Sequence, residues 1–361
     1  MPSEPQQKFV GRGTSTRPGN RFEAVHLEPQ FDELAEDDDL LAARRTIPTA
    51  FLPDQSQSII ATNDSPDIGF RYSINVYRGC EHGCSYCYAR PSHEFLGMNA
   101  GLDFETKVMV KHDAAALLRA ALARPKWRGE MIMMSGVTDC YQPIERKLRL
   151  TRAVLEVMSE SRQCCGIITK NALVVRDLDI LADMARQNLV HVHLSVTTLD
   201  AELVGALEPR TSRPAARLQA IRRLTDAGVP VGVMVAPIIP GLNDHEMPAV
   251  LEAAAEAGAK TASYVLLRLP HAVNPIFMDW LATNRPEALA RVESRIRGTR
   301  GGKLYQSAFS ERQRGRGNYA EQIKQTFGVF RAKHGLDGRL PAFDTSLFTP
   351  PRAASGQMNL F

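Results

Sequence analysis

A chain of 361 residues, 44% hydrophobic and 23% charged, can bury a sizeable core in one large domain or two ordinary ones, which excludes a wholly unfolded chain. Its 44 basic and 40 acidic groups leave a formal charge of +4, too little to demand a polyanionic partner by itself. No stretch approaches the ~20 uninterrupted apolar residues of a membrane helix, and the N-terminal region carries no apolar segment with a small-residue cleavage site, so a cytoplasmic protein with reduced thiols and no membrane contact is expected.

Residues 1–58 read as a mobile extension. Its start is rich in Pro, Gly, Gln, Ser and Thr, and residues 32–39 are acidic, so it buries too little apolar surface to offset the entropy of ordering. Residues 59–270 form the expected core. Short β-branched runs fall at 72–77, 130–135, 166–169, 190–196, 229–236 and 262–267. Helical patterns lie between them at 113–123, 145–160, 177–187, 214–227 and 245–257; in the fourth, Leu218, Ile221 and Leu224 recur at helical spacing and Gly228 stands where a C-cap belongs. Strands alternating with helices imply right-handed crossovers and a parallel sheet, an α/β fold. The run 229–236 is apolar on both sides of the alternation, as a fully covered parallel strand should be. Residues 271–345, with a helix at about 319–333, are expected to cap this core, and 346–361 to form a flexible tail.

Three of the six cysteines crowd into Cys80-Glu81-His82-Gly83-Cys84-Ser85-Tyr86-Cys87, directly after the first strand. In a reducing compartment such a cluster reads as metal-ligating rather than disulfide-forming. Three thiolates wrapped around a cube-shaped [4Fe–4S] cluster leave one iron open for chemistry on a bound molecule. The alternative is structural zinc with His82 or His93 as fourth ligand; against it, the loop opens an α/β domain, and His82 lies between two of the ligands.

Cys-x3-Cys-x2-Cys with Tyr86 before the last cysteine resembles the radical S-adenosylmethionine (SAM) signature, and six strand–helix units follow it. Tyr86-Cys87-Tyr88, Thr138-Asp139 and Thr169-Lys170 resemble the spore photoproduct lyase-like branch of that superfamily. The resemblance implies a partial (β/α)6 barrel of the TIM type with SAM on the unique iron. The reduced cluster, fed by an external electron donor, would cleave SAM to methionine and a 5′-deoxyadenosyl radical that takes a hydrogen atom from substrate.

Functional groups of a parallel barrel gather at the carboxyl ends of its strands. The resemblance therefore directs Gly136, Thr138 and Asp139 toward the SAM amino group, although the usual Gly-Gly-Glu is absent here. Lys170 and Arg210 are directed toward its carboxylate and Ser195 toward its ribose, while the turn opening at Ala236-Pro237 is directed toward its adenine; Asn243 or Asp244 is expected to cap the next helix. Tyr86 lies within the cofactor-binding loop. Tyr88 and Cys140 are the candidates for relaying a hydrogen atom, with Cys140 displaced from the position the family uses.

Two features outside the core bear on partners. Gln357-Met358-Asn359-Leu360-Phe361 resembles the pentapeptide that docks on the DNA polymerase sliding clamp. The basic run 312–316, with Tyr305, Phe309 and Tyr319 nearby, suits a phosphate backbone flanked by stacking aromatics. Together with the core that resembles a spore photoproduct lyase, these features favour DNA, and damaged DNA in particular, as substrate. The alternatives are modification of tRNA or protein by the same chemistry, and an iron–sulfur adaptor that recruits the clamp without turnover.

Overall fold

The computed structural model describes residues 11–22 and 47–351. Its strands, in chain order, are β1 (Ala50–Pro53), β2 (Ile60–Thr62), β3 (Tyr72–Ile74), β4 (Tyr77–Arg78), β5 (Lys107–Val110), β6 (Ile132–Met134), β7 (Cys165–Thr169), β8 (Val190–Ser195), β9 (Val231–Ile238) and β10 (Thr261–Leu266). The main sheet has the order β10-β9-β8-β7-β6-β3-β2, every neighbouring pair parallel except β2 on β3. Its six parallel strands correspond to the six runs expected from sequence. β2 and β10 are edges, so among the described residues the sheet is open, a partial (β/α)6 barrel. A smaller sheet, β1-β5-β4, lies outside it. Its short strands carry no periodic signal, and β1 belongs to a stretch that composition assigns to the extension.

The longer helices are α1 (Ala114–Leu122), α2 (Leu150–Glu160), α3 (Leu178–Ala185), α4 (Ala201–Leu207), α5 (Pro214–Asp226), α6 (Met247–Glu256), α7 (Val273–Asn284), α8 (Leu289–Gly298) and α9 (Asn318–Lys333). Their apolar stripes bury Leu118 and Leu122, then Val154, Leu155 and Met158, then Leu181 and Met184, against the sheet. The helix expected over 145–160 divides at Arg149, whose φ of 52° is left-handed. The crossover from β8 to β9 carries α4 ahead of α5. Asp200 starts α4 by accepting from the Glu202 and Leu203 amides, a side-chain N-cap.

Two finer placements depart from the sequence reading. Gly11–Phe22, expected to be part of a mobile extension, packs on the core. Arg12 N and Gly13 N donate to the Glu105 carboxylate, Asn20 Nδ2 donates to the Glu94 carbonyl, and Arg21 pairs with Glu94. The contact at Gly13 admits no side chain, since a Cβ there would lie 1.5 Å from the Gly83 carbonyl oxygen. The cap helices α7 and α8 also do more than cover an end. Phe277, Trp280, Leu281, Val292 and Ile296 form one apolar cluster with Leu203 and Leu207 of α4 and with Cys84 and Tyr86. No helix of the described residues is long and apolar enough to cross a membrane.

Candidate active site

Cys80, Cys84 and Cys87 lie on the loop that follows β4, at the carboxyl end of β3. Cys80 and Cys84 are buried, at 7% and 8% exposure, and all three are free thiols. The loop has little regular structure, so its buried backbone groups need partners from elsewhere. Gln142 supplies one pair, accepting from the Glu81 amide and donating to the Gly79 carbonyl. Arg90, fully buried, supplies another: its Nε and Nη2 donate to the Cys84 carbonyl at 3.1 and 2.9 Å, and Nη1 donates to the Gly101 carbonyl. The charge of Arg90 is met by Glu105, equally buried, at 2.7 Å.

Glu208, immediately after α4, ties the loop to the barrel from the other side. Its carboxylate accepts from the hydroxyls of Tyr86 and Thr197 and pairs with Arg217 of α5. Arg217 also donates to the carbonyls of Ser195 and Ser212. Burial alone would raise the Glu208 pKa, but Arg217, Lys170 and the two hydroxyls overcome it and hold the carboxyl at about 2. Sequence reasoning passed over Glu208, Arg90 and Glu105. Glu208 had one visible sign, a carboxylate within Glu208-Pro209-Arg210 just beyond an apolar helix.

The structure brings the expected strand-end residues to one end of the sheet and gives several of them partners within the protein. Asp139 binds protein groups: Oδ1 accepts from the Thr169 hydroxyl and the Tyr141 amide, and Oδ2 accepts from the Lys170 amide. The Thr138 hydroxyl donates to the Tyr77 carbonyl. This pair therefore locks β6, β7 and the cysteine loop together rather than standing open. Lys170 Nζ donates to the Ala236 carbonyl at 3.0 Å and lies 5.8 Å from the Tyr86 ring centroid. Arg210 pairs with Glu81 inside the cysteine loop. Ser195 is buried at the end of β8. Gly136 owes its size to Ser73, whose side chain would stand 2.9 Å from a Cβ. Asn243 stands at the N-cap position of the short 3-10 helix Asp244–Glu246, but its side chain does not cap it: it accepts from the Ile239 amide and donates to the Thr197 and Pro237 carbonyls, fixing the turn after β9.

Tyr88 and Cys140 have different surroundings. Tyr88 is 47% exposed, and its hydroxyl donates to the Gly136 carbonyl at 3.0 Å. Cys140 is 2% exposed among the apolar core residues, and burial pushes its thiol well above the ordinary range. Those are the surroundings of an inert core thiol, the alternative that its position after Thr138-Asp139 left open. The basic run is also less open than its charge implied. Arg312 pairs with Asp67, Arg314 lies 4.1 Å over the Tyr264 ring, and Arg316 stands 3.7 Å from Glu311. The pentapeptide 357–361 lies outside the described residues.

The donor set distinguishes the two metal readings. His82 is occupied on both ring nitrogens, Nδ1 facing Asp139 at 3.5 Å and Nε2 facing Asn171 at 3.2 Å. His93 turns Nε2 to the Lys107 carbonyl. Among the described residues no three His, Cys, Asp or Glu side chains converge as ligands of one metal ion must. A four-iron cluster takes each thiolate on a different iron, so three thiols spread along one loop suit it. Burial raises all three thiols above their ordinary range, with Asp139 and then Cys87 adding to the effect at Cys80 and Glu208 adding to it at Cys84. Such thiols are neutral without metal, and iron would hold them as thiolates.

A parallel α/β sheet with a three-cysteine loop at its carboxyl end defines a TIM-type enzyme scaffold built for a cluster. The family model of the radical SAM superfamily matches residues 74–254, and the chain belongs to that superfamily. It is a radical SAM enzyme, and its cofactors are a [4Fe–4S] cluster and SAM. An uncharacterized protein of Mycobacterium bovis is 38% identical over 271 residues, 74% of this chain and 76% of that one. One of Methanocaldococcus jannaschii is 32% identical over 178 residues, 49% and 64% of the two chains. Among solved structures, spore photoproduct lyase complexed with dinucleoside spore photoproduct superposes with a TM-score of 0.56 at 17% identity, over 80% of each chain. A spore photoproduct lyase variant with bound AdoMet and the same photoproduct gives the same TM-score, identity and coverage. At that identity the likeness is one of fold.

Two predictions follow from this geometry. Alanine at Cys80, Cys84 or Cys87 should abolish iron binding in anaerobically purified protein, whereas alanine at Cys140, Cys164 or Cys165 should leave iron and sulfide content unchanged. Full iron content in any of the first three variants would overturn the ligand assignment. Glu208→Gln leaves Arg217 a buried cation without its anion and should cost roughly 3–5 kcal/mol at neutral pH. Because the folded pKa of Glu208 is depressed, its stabilisation is present above about 4.5 and lost as pH falls toward about 2. The gap in denaturant midpoint between wild type and Glu208→Gln should narrow across that window, and a gap independent of pH would refute the role given to the charge.

Proposed function

We propose that this radical SAM enzyme acts on nucleic acid, with damaged DNA as its substrate. The observation that carries the reading is Tyr88. It directly follows cluster ligand Cys87, its hydroxyl is held by the Gly136 carbonyl, and nearly half of the residue stays exposed at the barrel mouth. A tyrosine so placed is positioned to pass a hydrogen atom between cofactor and substrate. Spore photoproduct lyase, solved with a dinucleoside photoproduct, has the same fold and supports a lesion in DNA as the substrate class. When bound, the cluster and SAM supply a one-electron cleavage that yields an adenosyl radical, fed by an external donor. The protein's part is positional. Lys170 Nζ, now on the Ala236 carbonyl, is the cation available to a SAM carboxylate, and Gly136, Ser195 and Ala236 line the strand ends facing it. Asp139 and Thr138 hold these strand ends in register, and Arg210 steadies Glu81 in the cysteine loop.

Reconstituted protein incubated anaerobically with reductant, SAM and ultraviolet-irradiated DNA should form 5′-deoxyadenosine faster than with undamaged DNA, with loss of the photoproduct. Tyr88→Phe should lower product formation while SAM cleavage continues. Stimulation by tRNA or a protein fraction and none by irradiated DNA would move the enzyme to the alternative substrate class.

We also propose that residues 357–361 dock on a sliding clamp, on the strength of the motif alone. Leu360 and Phe361 are the apolar anchors and Gln357 the hydrogen-bonding one. A peptide of residues 354–361 should bind the cognate clamp with a Kd in about the micromolar range, because ordering a short segment offsets part of its contacts. Alanine at Gln357, or at Leu360 and Phe361 together, should abolish that binding. No binding of the unaltered peptide at high micromolar concentration would reject the partner.

A further inference from the structure

Arg268 stands two residues beyond Leu266, the end of β10, and therefore at the carboxyl end of the last parallel strand. Leu267 N still donates to the Ile238 carbonyl, so the strand pairing continues to the residue before it. The guanidinium of Arg268 lies 5.1 Å over the ring of Tyr88, beside the cysteine loop. Its Nε is buried and has no hydrogen-bond partner. Among the described residues no carboxylate pairs with it. Four other arginines near the site do have carboxylate partners: Arg90 has Glu105, Arg210 has Glu81, Arg217 has Glu208 and Arg312 has Asp67.

A second cation reinforces the first. Arg300 is 1% exposed and donates to the carbonyls of Leu267 and Glu311, with no carboxylate paired to it among the described residues. Burial and then the charge of Arg268 lower its pKa to about 10. Two cations at one strand end, one with a desolvated and unpartnered nitrogen, form a site whose missing element is an anion. Aromatic faces accompany them. Tyr88 is half exposed below Arg268, and Phe309, 56% exposed, belongs to the segment that Arg300 holds through the Glu311 carbonyl.

We propose that Arg268 is a substrate-binding residue that takes a phosphodiester of single-stranded or extruded DNA, with Arg300 as the charge behind it and Tyr88 and Phe309 as adjoining surfaces for bases. This rests on the nucleic-acid reading above and assigns it a contact. A guanidinium fork matches a phosphate in two parallel hydrogen bonds, and an exposed aromatic beside that cation suits unpaired bases rather than an acidic peptide.

The test uses the full chain, reconstituted with cluster and kept anaerobic, and a fluorescein-labelled oligothymidylate as probe. Arg268→Gln should weaken binding about tenfold or more and make the slope of log affinity against log salt shallower by about 0.7, the share of one single-strand phosphate. Arg268→Lys, which keeps the charge and loses the fork, should fall between. Unchanged affinity and slope in Arg268→Gln overturn the site. So does a loss that follows iron content in both variants, since that marks a structural role, and so does a wild type that binds an acidic peptide in preference to the oligonucleotide. Formation of 5′-deoxyadenosine by the wild type with irradiated DNA is measured alongside. If DNA stimulates it while Arg268→Gln binds the probe normally, the nucleic-acid reading survives and the Arg268 contact falls.

Discussion

The buried pair of Arg90 and Glu105 is the interaction on which the site depends. A loop that presents three thiols on one side exposes its own carbonyls on the other, and water is excluded from both. Arg90 meets the Cys84 carbonyl with two nitrogens and the Gly101 carbonyl with a third. Glu105 neutralises that cation and accepts the amides of Arg12 and Gly13. A buried ion pair of this kind adds little net stability compared with apolar packing, whereas removing one member leaves an uncompensated charge. Its value here lies in specifying geometry. The N-terminal segment and three points along residues 84–105 are tied together, and the loop is held in place.

Glu208 repeats the solution on the opposite flank. It joins Tyr86 of the loop to Thr197 beyond β8 and to Arg217 of α5, so the loop is referenced to the barrel strands as well as to the N-terminal segment. The cap helices close the remaining side with apolar contacts, Phe277 and Trp280 sharing a cluster with Cys84 and Tyr86. Polar clamps set position, and the apolar cap excludes water. What stays open is the end bearing Tyr88 and Arg268.

The parallel strands and their helices were legible because burial on both faces forces the apolar runs that periodicity detects, as in β9. The small sheet was not, since β4 has two residues and β1 pairs with β5 across more than fifty positions of chain. In the site, the cysteines could be read from spacing, but the partners of Thr138, Asp139 and Arg210 could not. A hydroxyl, a carboxylate and a guanidinium at strand ends look the same in sequence whether they face a ligand or a neighbouring carbonyl. Arg90 and Glu105 lie in short helices, Arg90–Leu96 and Leu102–Thr106, too brief for a periodic pattern to show. Composition misjudged Gly11–Phe22 because its glycines are required by close backbone approach, as at Gly13 against Gly83.

The depth of the thiols has a bearing on how the enzyme matures. Cys80 and Cys84 are almost closed to solvent: Cys84 packs with α7 and α8, Cys80 with Ala89 and Phe104, and the N-terminal segment crosses the loop at Gly83. A cluster seated there is shielded on the flank of Cys84, while Cys87 is only half-buried. The route for iron into the folded chain therefore lies on the side of Cys87, the end that also bears the exposed Tyr88.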